Sequence, residues 1–500
     1  MDLRRQGAAL LAGGASVLAY APFGLFPLVF VALGLLFWLL GPAARFADTT
    51  PRHKMGKGFA VGFAWGLGAM LGGVSWLYVA LNRYGGLPMP LAALAVLLFC
   101  AVAALYAGFA GGLFSVLRRG RAGSDALLFA AIWLLFEWTR GWAFTGFPWL
   151  ATGYSQSPPS PLAGFAPVFG VYGVGGLAAL LSALAVGALQ ARNWRPAVLA
   201  ALILSCGFGL RQIAWTAPVG DPIKVALIQT NIEQSLKWRP ELLQKWLEHN
   251  LALVRDNPAQ LVVLPETTIP LLVDYLPSGY LDAIGHLALR NGGDVIFGTF
   301  TRDAEGHIFN AAISRGRSPA GHYAKQHLVP FGEYSPPLFH WFYDLVNIPM
   351  ADQTRGAASQ PPLALGSQKV AINICYEDVF GEELIRSLPE ATLMLNLSNL
   401  AWYGDSFAQP QHLQIARLRA LESGRPMLRA TNTGMTGLVL PDGTVSAVLP
   451  AFTRGALPVT VRGYTGTTPY VRWGNVPAVA LAAAVVALAL LRRARGRTPI

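Results

Sequence analysis

The sequence predicts a helical membrane domain, an exported α/β domain behind it, and one last membrane helix. Three observations carry this. Of 500 residues, 53% are hydrophobic and only 13% charged, too apolar a balance for a soluble chain of this length. Apolar runs of about 20 residues, long enough to cross a bilayer as helices, crowd residues 1–214. From about 215 to 472 the pattern changes to strands alternating with amphipathic helices, which argues for a layered α/β domain.

In chain order, eight apolar runs stand as candidate spans: about 7–21, 25–41, 58–81, 89–116, 125–142, 163–190, 196–214 and 476–491. Pro22 and Pro27 mark the turn between the first two. Arg4 and Arg5 before an apolar run also fit a signal peptide, but no clear cleavage site precedes the second span. The domains expected are therefore 1–214 with spans one to seven, 215–472 as the exported catalytic domain, and 473–500 as the final helix with a basic tail.

The net charge of +12 invites a nucleic-acid reading, yet the cations are not gathered on one domain. They fall in alternate loops: Arg4 and Arg5; Arg45, Arg52, Lys54 and Lys57; Arg118, Arg119 and Arg121; Arg192 and Arg195; then Arg492, Arg493, Arg495 and Arg497. This is the positive-inside pattern, which puts both termini in the cytoplasm and residues 215–472 on the far side. The outer loop FEWTRGWAFTGFPWLATGYSQ (136–156) combines Glu137 and Arg140 with three tryptophans. Such residues either anchor a helix end or meet a polar head group. Cys100 and Cys206 lie in spans and read as hydrophobes. Cys375 is the one cysteine of the exported domain, and an unpaired thiol in an oxidising compartment is a candidate for reactivity.

Within that domain IKVALIQTNI reads as a strand and RPELLQKWLEHNLALVRD as a helix. QLVVLPE, DVIFGTF, HIFNAAIS, TLMLNL and PMLRATN are further strands, with helices GYLDAIGHLALRN and PQHLQIARLRALES among them. A closing hairpin turns at Asp442-Gly443. In KVAINICYEDVF (369–380), Val370, Ile372 and Ile374 alternate with smaller or polar residues, the period of a strand, and the following residues open a helix. A cysteine between the two faces the helix's positive pole and can be held as thiolate, given a base or cation nearby. Glu266 stands where QLVVLPE ends, and Lys325 close behind a short apolar strand. Base, cation and nucleophile thus converge on one end of a sheet. Glu266 can take the thiol proton, while Lys325 and the Tyr376 backbone N–H can steady an oxyanion. His327 offers a Cys–His alternative, but with Glu266 at hand it reads as structural. No cluster has zinc-type spacing, so neither metal nor cofactor is expected. Asn396-Leu-Ser398 matches a glycosylation sequon, yet it falls inside a strand.

LPET (264–267), Lys325 ahead of HLVPFGEY, and NICYED (373–378) resemble the Glu, Lys and Cys motifs of the nitrilase superfamily, in its chain order. With the flanking spans, and with QTNIEQSLKW (229–238), YAKQHLVPFGEY (323–334) and FEWTRGW…TGFPW (136–149), the chain is more closely similar to that superfamily's membrane-bound branch, the apolipoprotein N-acyltransferases. The resemblance implies an αββα nitrilase-like sandwich facing the periplasm of a bacterial inner membrane. It implies ping-pong transfer from a phospholipid, preferably phosphatidylethanolamine, through a Cys375 thioester to the α-amino group of a diacylglyceryl-cysteine in an apolipoprotein. It makes Glu266 the base and gives Lys325 the intermediate and Glu333 a supporting carboxylate role. Trp238, Asn310, Tyr376 and Glu377 match positions used around the site.

Two other functions fit part of the pattern. A membrane-tethered amidase would pass the thioester to water, though eight spans exceed what an anchor needs. A transporter with a non-catalytic exported domain would carry ionisable residues at mid-membrane, where these runs are nearly charge-free. The apolar loops TTIPLLVDYL (267–276) and SPPLFHWFYDLVNIPM (335–350), with Phe339, Trp341 and Phe342, either cover the domain's own core or form a mobile mouth for acyl chains.

Overall fold

The computed structural model describes residues 3–41, 50–336, 350 and 352–495. They form two units: one of residues 1–75, 93–214 and 472–500, the other of 76–92 and 215–471. Trp76–Ala92, which the sequence assigns to the membrane domain, thus belongs to the unit that carries the candidate site.

Helices stand at all eight candidate spans, but among the described residues only five are long and apolar enough to cross a membrane: Pro51–Val74, Met89–Leu117, Ala122–Arg140, Pro161–Ala191 and Val476–Arg495. Leu3–Ser16, Pro27–Leu39 and Arg195–Leu210 have 14, 13 and 16 residues. At 1.5 Å per residue these are shorter than a hydrocarbon core of about 30 Å. The candidate run 58–81 also overreached: its helix stops at Val74, and residues Ala80–Tyr84 turn as a π-helix. Glu137 and Arg140 are both buried. Arg140 Nη1 donates to the carbonyls of Phe147 (2.6 Å) and Trp149 (2.7 Å), and Glu137 Oε1 accepts from Thr152 N and Oγ1 (both 2.8 Å). These bonds fold the pair's own loop, while Glu137 Oε2 is buried with no hydrogen-bond partner among the described residues.

The second unit is built on twelve strands. β1 (Thr216–Gln229), β2 (Leu261–Val263), β3 (Asp294–Arg302), β4 (Ile308–Gly316) and β5 (His322–Ala324) precede β6 (Leu363–Leu365), β7 (Gln368–Ile374), β8 (Leu393–Ser398), β9 (Met427–Thr431), β10 (Gly437–Val439), β11 (Val445–Val448) and β12 (Gly455–Gly466). They make two six-stranded sheets, ordered β12-β1-β2-β3-β4-β5 and β11-β10-β9-β8-β7-β6. Each has three parallel strands at its centre (β1, β2, β3; β7, β8, β9) and antiparallel strands outside them.

The two-residue period of the strands sorts their side chains. Val225, Leu227, Val263 and Ile296 from one sheet share a buried cluster with Val370, Ile372, Ile374, Leu395 and Leu397 from the other. The alternate residues Ala226, Val262, Val295 and Phe297 pack instead on Leu247, Val254, Ile284 and Ala288 of helices Leu243–Asp256 and Tyr280–Arg290. Ala371, Met394 and Met427 likewise meet Leu413, Ala416 and Ala420 of helix Ala408–Ser423. Strands buried on both faces read as nearly continuous apolar runs, which is why they are easy to find in the sequence. Two strands lie outside the sequence expectation: β6, only three residues long, and β12, whose burial alternates weakly.

Candidate active site

Glu266 follows the parallel strand β2 and Cys375 the parallel strand β7, while Lys325 follows the antiparallel edge strand β5 and Asn310 lies on β4. β7 ends at Ile374, and Cys375 follows with φ 55°, a left-handed conformation that is costly for a residue with a Cβ. The backbone is held there from both sides. Asn396 Nδ2 donates to the Cys375 carbonyl (3.0 Å), and Glu377 Oε2 accepts from Ile374 N (2.6 Å). Glu377 accepts also from Gln326 N (2.7 Å), His327 N (3.1 Å) and Tyr323 Oη (3.0 Å), tying the loop of Lys325 to the turn of Cys375. The expected helix after the cysteine is broken: 3₁₀ turn Cys375–Val379, then Gly381–Leu384, interrupted at Phe380. No long dipole points at the thiol.

Glu266 follows β2 by a turn that lies directly against β3. Gly298 is required for that approach, because a Cβ there would sit 2.4 Å from Thr267 N and 2.7 Å from Glu266 Cα. Pro265 O accepts from Gly298 N (3.1 Å), which fixes the turn. Lys325, its side chain fully buried, donates to Glu333 Oε1 (2.7 Å) and Glu266 Oε1 (3.4 Å). Asn310 Nδ2 bridges the same two oxygens, at 2.9 Å from Glu266 and 3.1 Å from Glu333. The outer oxygens are engaged as well: Glu266 Oε2 by Asn399 N (2.8 Å), and Glu333 Oε2 by Val329 N (2.8 Å).

The electrostatics revise one expectation. Burial pushes the Cys375 thiol well above its ordinary range, and Glu266 and Glu333 add to the rise; Lys325 and the Asn399 N–H pull against it and lose. The resting group is a neutral thiol, not a stored thiolate. Burial works against the Lys325 ammonium, but Glu333, Glu266 and Cys375 together hold its pKa well above the usual lysine value. A fixed cation and a carboxylate with both oxygens engaged beside a neutral thiol suit proton transfer during attack rather than before it.

The remaining candidates divide. Tyr376 is buried, edge-on to Phe380 at 5.1 Å, and Trp238 lies against Phe300 at 5.9 Å. His327 stacks on Phe380 and bonds Glu383 (3.1 Å), so it is structural as expected. The loop 267–276 covers its own domain: Ile269 and Leu272 are buried, and Leu271, Val273 and Leu276 pack on the cluster beneath. That overturns the mouth reading for this loop. Phe339, Trp341 and Phe342 lie outside the described residues. Among those described, one group could hold a metal, the exposed Asp303, Glu305 and His307. Sequence reading missed Asn399, Asn396, Tyr323 and Lys237. Asn396 was set aside with its sequon, and Lys237 stands unremarked beside Trp238.

Comparison with known proteins agrees with this construction. Residues 12–184 match the family described as apolipoprotein N-acyltransferase N-terminal domain, and residues 224–470 match carbon-nitrogen hydrolase, in keeping with a nitrilase-like two-sheet fold. Relatives named apolipoprotein N-acyltransferase include one from Ralstonia nicotianae, 45% identical over 97% of this chain and 93% of its own. Another, from Nitrosomonas europaea, is 44% identical over 97% and 96%. A third, from Chromobacterium violaceum, is 45% identical over 97% and 93%.

Proposed function

This chain belongs to the apolipoprotein N-acyltransferase family and is an acyltransferase; from that premise we propose that it transfers its acyl group through a thioester on Cys375. Lipoprotein maturation gives it a phospholipid donor and a lipoprotein acceptor. Phosphatidylethanolamine is the donor we expect, and the α-amino group of diacylglyceryl-cysteine the acceptor.

In the first half-reaction the Cys375 proton passes to Glu266 as sulfur attacks the donor ester carbonyl. The oxyanion forms beside the Lys325 ammonium and the Tyr376 N–H. Collapse breaks the ester C–O bond, Glu266 returns its proton to that oxygen, and lysophospholipid leaves. In the second half-reaction the acceptor amine attacks the thioester, gives a proton to Glu266 and forms the amide. The thiolate departs and is protonated again. Glu333 and Asn310 keep Lys325 and Glu266 apart by a fixed distance, and Trp238 is placed to pack on lipid. The observation that carries this reading is the Lys325 ammonium shared between Glu266 and Glu333 beside a neutral Cys375.

The five long apolar helices and the alternation of basic loops support a multi-pass protein of the bacterial inner membrane, with cytoplasmic termini and residues 215–472 in the periplasm. Helices packed on the outer faces of two sheets support the αββα sandwich. Intact-protein mass spectrometry after incubation with phospholipid alone tests the mechanism. Wild type gains a hydroxylamine-labile acyl adduct that Cys375→Ala lacks. No adduct and no lysophospholipid would remove the phospholipid from the mechanism and favour the amidase.

A further inference from the structure

Lys237 is a second lysine buried at this site, on a different element from Lys325, and the scheme above gives it no task. It closes the short helix Gln234–Lys237 and is 3% exposed. Its Nζ donates to Glu266 O (3.2 Å) and Thr267 Oγ1 (2.6 Å). Thr267 has φ 46°, a strained value for a β-branched residue. The clamp therefore sits on the backbone of the general base and on the strained residue next to it. Gly298 closes the other side of the same turn.

Charge balance gives the ammonium a second use. Glu266 and Glu333 contribute −2 and Lys325 +1, so these three groups sum to −1, and Lys237 brings the sum to zero. A negative total opposes release of the Cys375 proton and growth of an oxyanion, and in a dry site that opposition is weakly screened. We propose that Lys237 is a positioning residue for acyl transfer, clamping the Glu266 turn and balancing the negative charge of the site while the thioester forms.

The proposal rests on the thioester reading. It has a signature in pH: burial lowers Lys237 to about 7, against the pull of the Glu266 carboxylate and of Cys375 once its proton has left. A base lowered in this way is cationic below that value and neutral above it. Acylation by phospholipid alone, with no acceptor amine to titrate, therefore slows as pH rises through about 7.

The test follows formation of the hydroxylamine-labile adduct in full-length wild type, Lys237→Met and Lys237→Arg between about pH 6 and 9. Below the transition Lys237→Met acylates about 100-fold more slowly than wild type. Its apparent KM for phospholipid and its thermal midpoint change little, and its slow rate lacks the limb near neutrality. Lys237→Arg, cationic throughout, restores at least a tenth of the rate and keeps it at alkaline pH. Acylation by Lys237→Met within about threefold of wild type, or a wild-type limb that Lys237→Arg leaves unmoved, overturns the proposal. If Lys237→Met does not fold, the limb in Lys237→Arg decides alone; if that variant fails too, a flat wild-type profile overturns it and a falling one supports it. Absence of any adduct on wild-type Cys375 would instead refute the thioester reading.

Discussion

The two acid–base groupings that stand out in the sequence are Glu137 with Arg140, both buried, and Glu266 with Lys325 and Glu333, of which the first two are buried and the third partly so, and they do opposite things. Arg140 gives its hydrogen bonds to the backbone carbonyls of Phe147 and Trp149, and Glu137 Oε1 accepts from Thr152 N and Oγ1. Their order is used up in shaping a loop. Lys325 gives its bonds to two carboxylates, whose other oxygens are held by backbone N–H groups of Asn399 and Val329, and a neutral thiol lies in the field of all three. Burial of charge therefore does not mark function by itself. What marks it is one cation shared by two carboxylates, at a position where a nucleophilic residue is also held in a strained backbone.

Substitutions can break or sharpen this contrast. The largest effect is expected from Cys375→Ala, which abolishes transfer with an unchanged fold, read as loss of lysophospholipid release. Lys325→Met follows, slowing transfer by at least about 10³-fold because an oxyanion donor is lost and two buried carboxylates face each other; near-wild-type turnover would mean the site is misassigned. Gly298→Ala forces the Glu266 turn away from β3 and costs about 100-fold in kcat, again with the secondary structure intact by circular dichroism. Arg140→Met makes the opposite case. It lowers stability by about 3–5 kcal/mol by leaving Glu137 uncompensated, while turnover per folded molecule stays within about threefold of wild type. Should Arg140→Met lose turnover without losing stability, the two groupings would not differ as described.

The smallest effect is in pH. Burial raises the Glu377 carboxyl to about 7, against the N–H bonds of Ile374, Gln326 and His327 and the charge of Lys325. A raised folded-state pKa means stability fully present below the ordinary value of 4.5 and lost as pH rises through about 7. The thermal midpoint should fall across that window, and the slope should flatten in Glu377→Gln.

Much of this was legible before the structure. Strands buried on both faces announce themselves as apolar runs, so β7 and β8 were found, and Glu266, Lys325 and Cys375 came with their flanking motifs. Glu333 and Asn310 meet Lys325 and Glu266 in the structure. Three kinds of feature were not legible. β12 is half exposed and its burial alternates weakly, so periodicity misses it. Backbone donors such as Asn399 N carry no side-chain signal. The protonation of Cys375 depends on how many charges surround it and how dry they are, and no local motif encodes that sum. The helix lengths also escaped, since hydropathy runs continue past the residues that coil.

The neutrality of Cys375 has a consequence beyond the reaction itself. Thiolates, not thiols, are what peroxides and disulfides consume. An enzyme whose sulfur stays protonated until a donor arrives can wait between turnovers in the presence of oxidants without losing its nucleophile, and needs no second cysteine to rescue it. Its shelf life, as much as its rate, is set by the burial of the sulfur and by the two carboxylates that help to keep the proton in place.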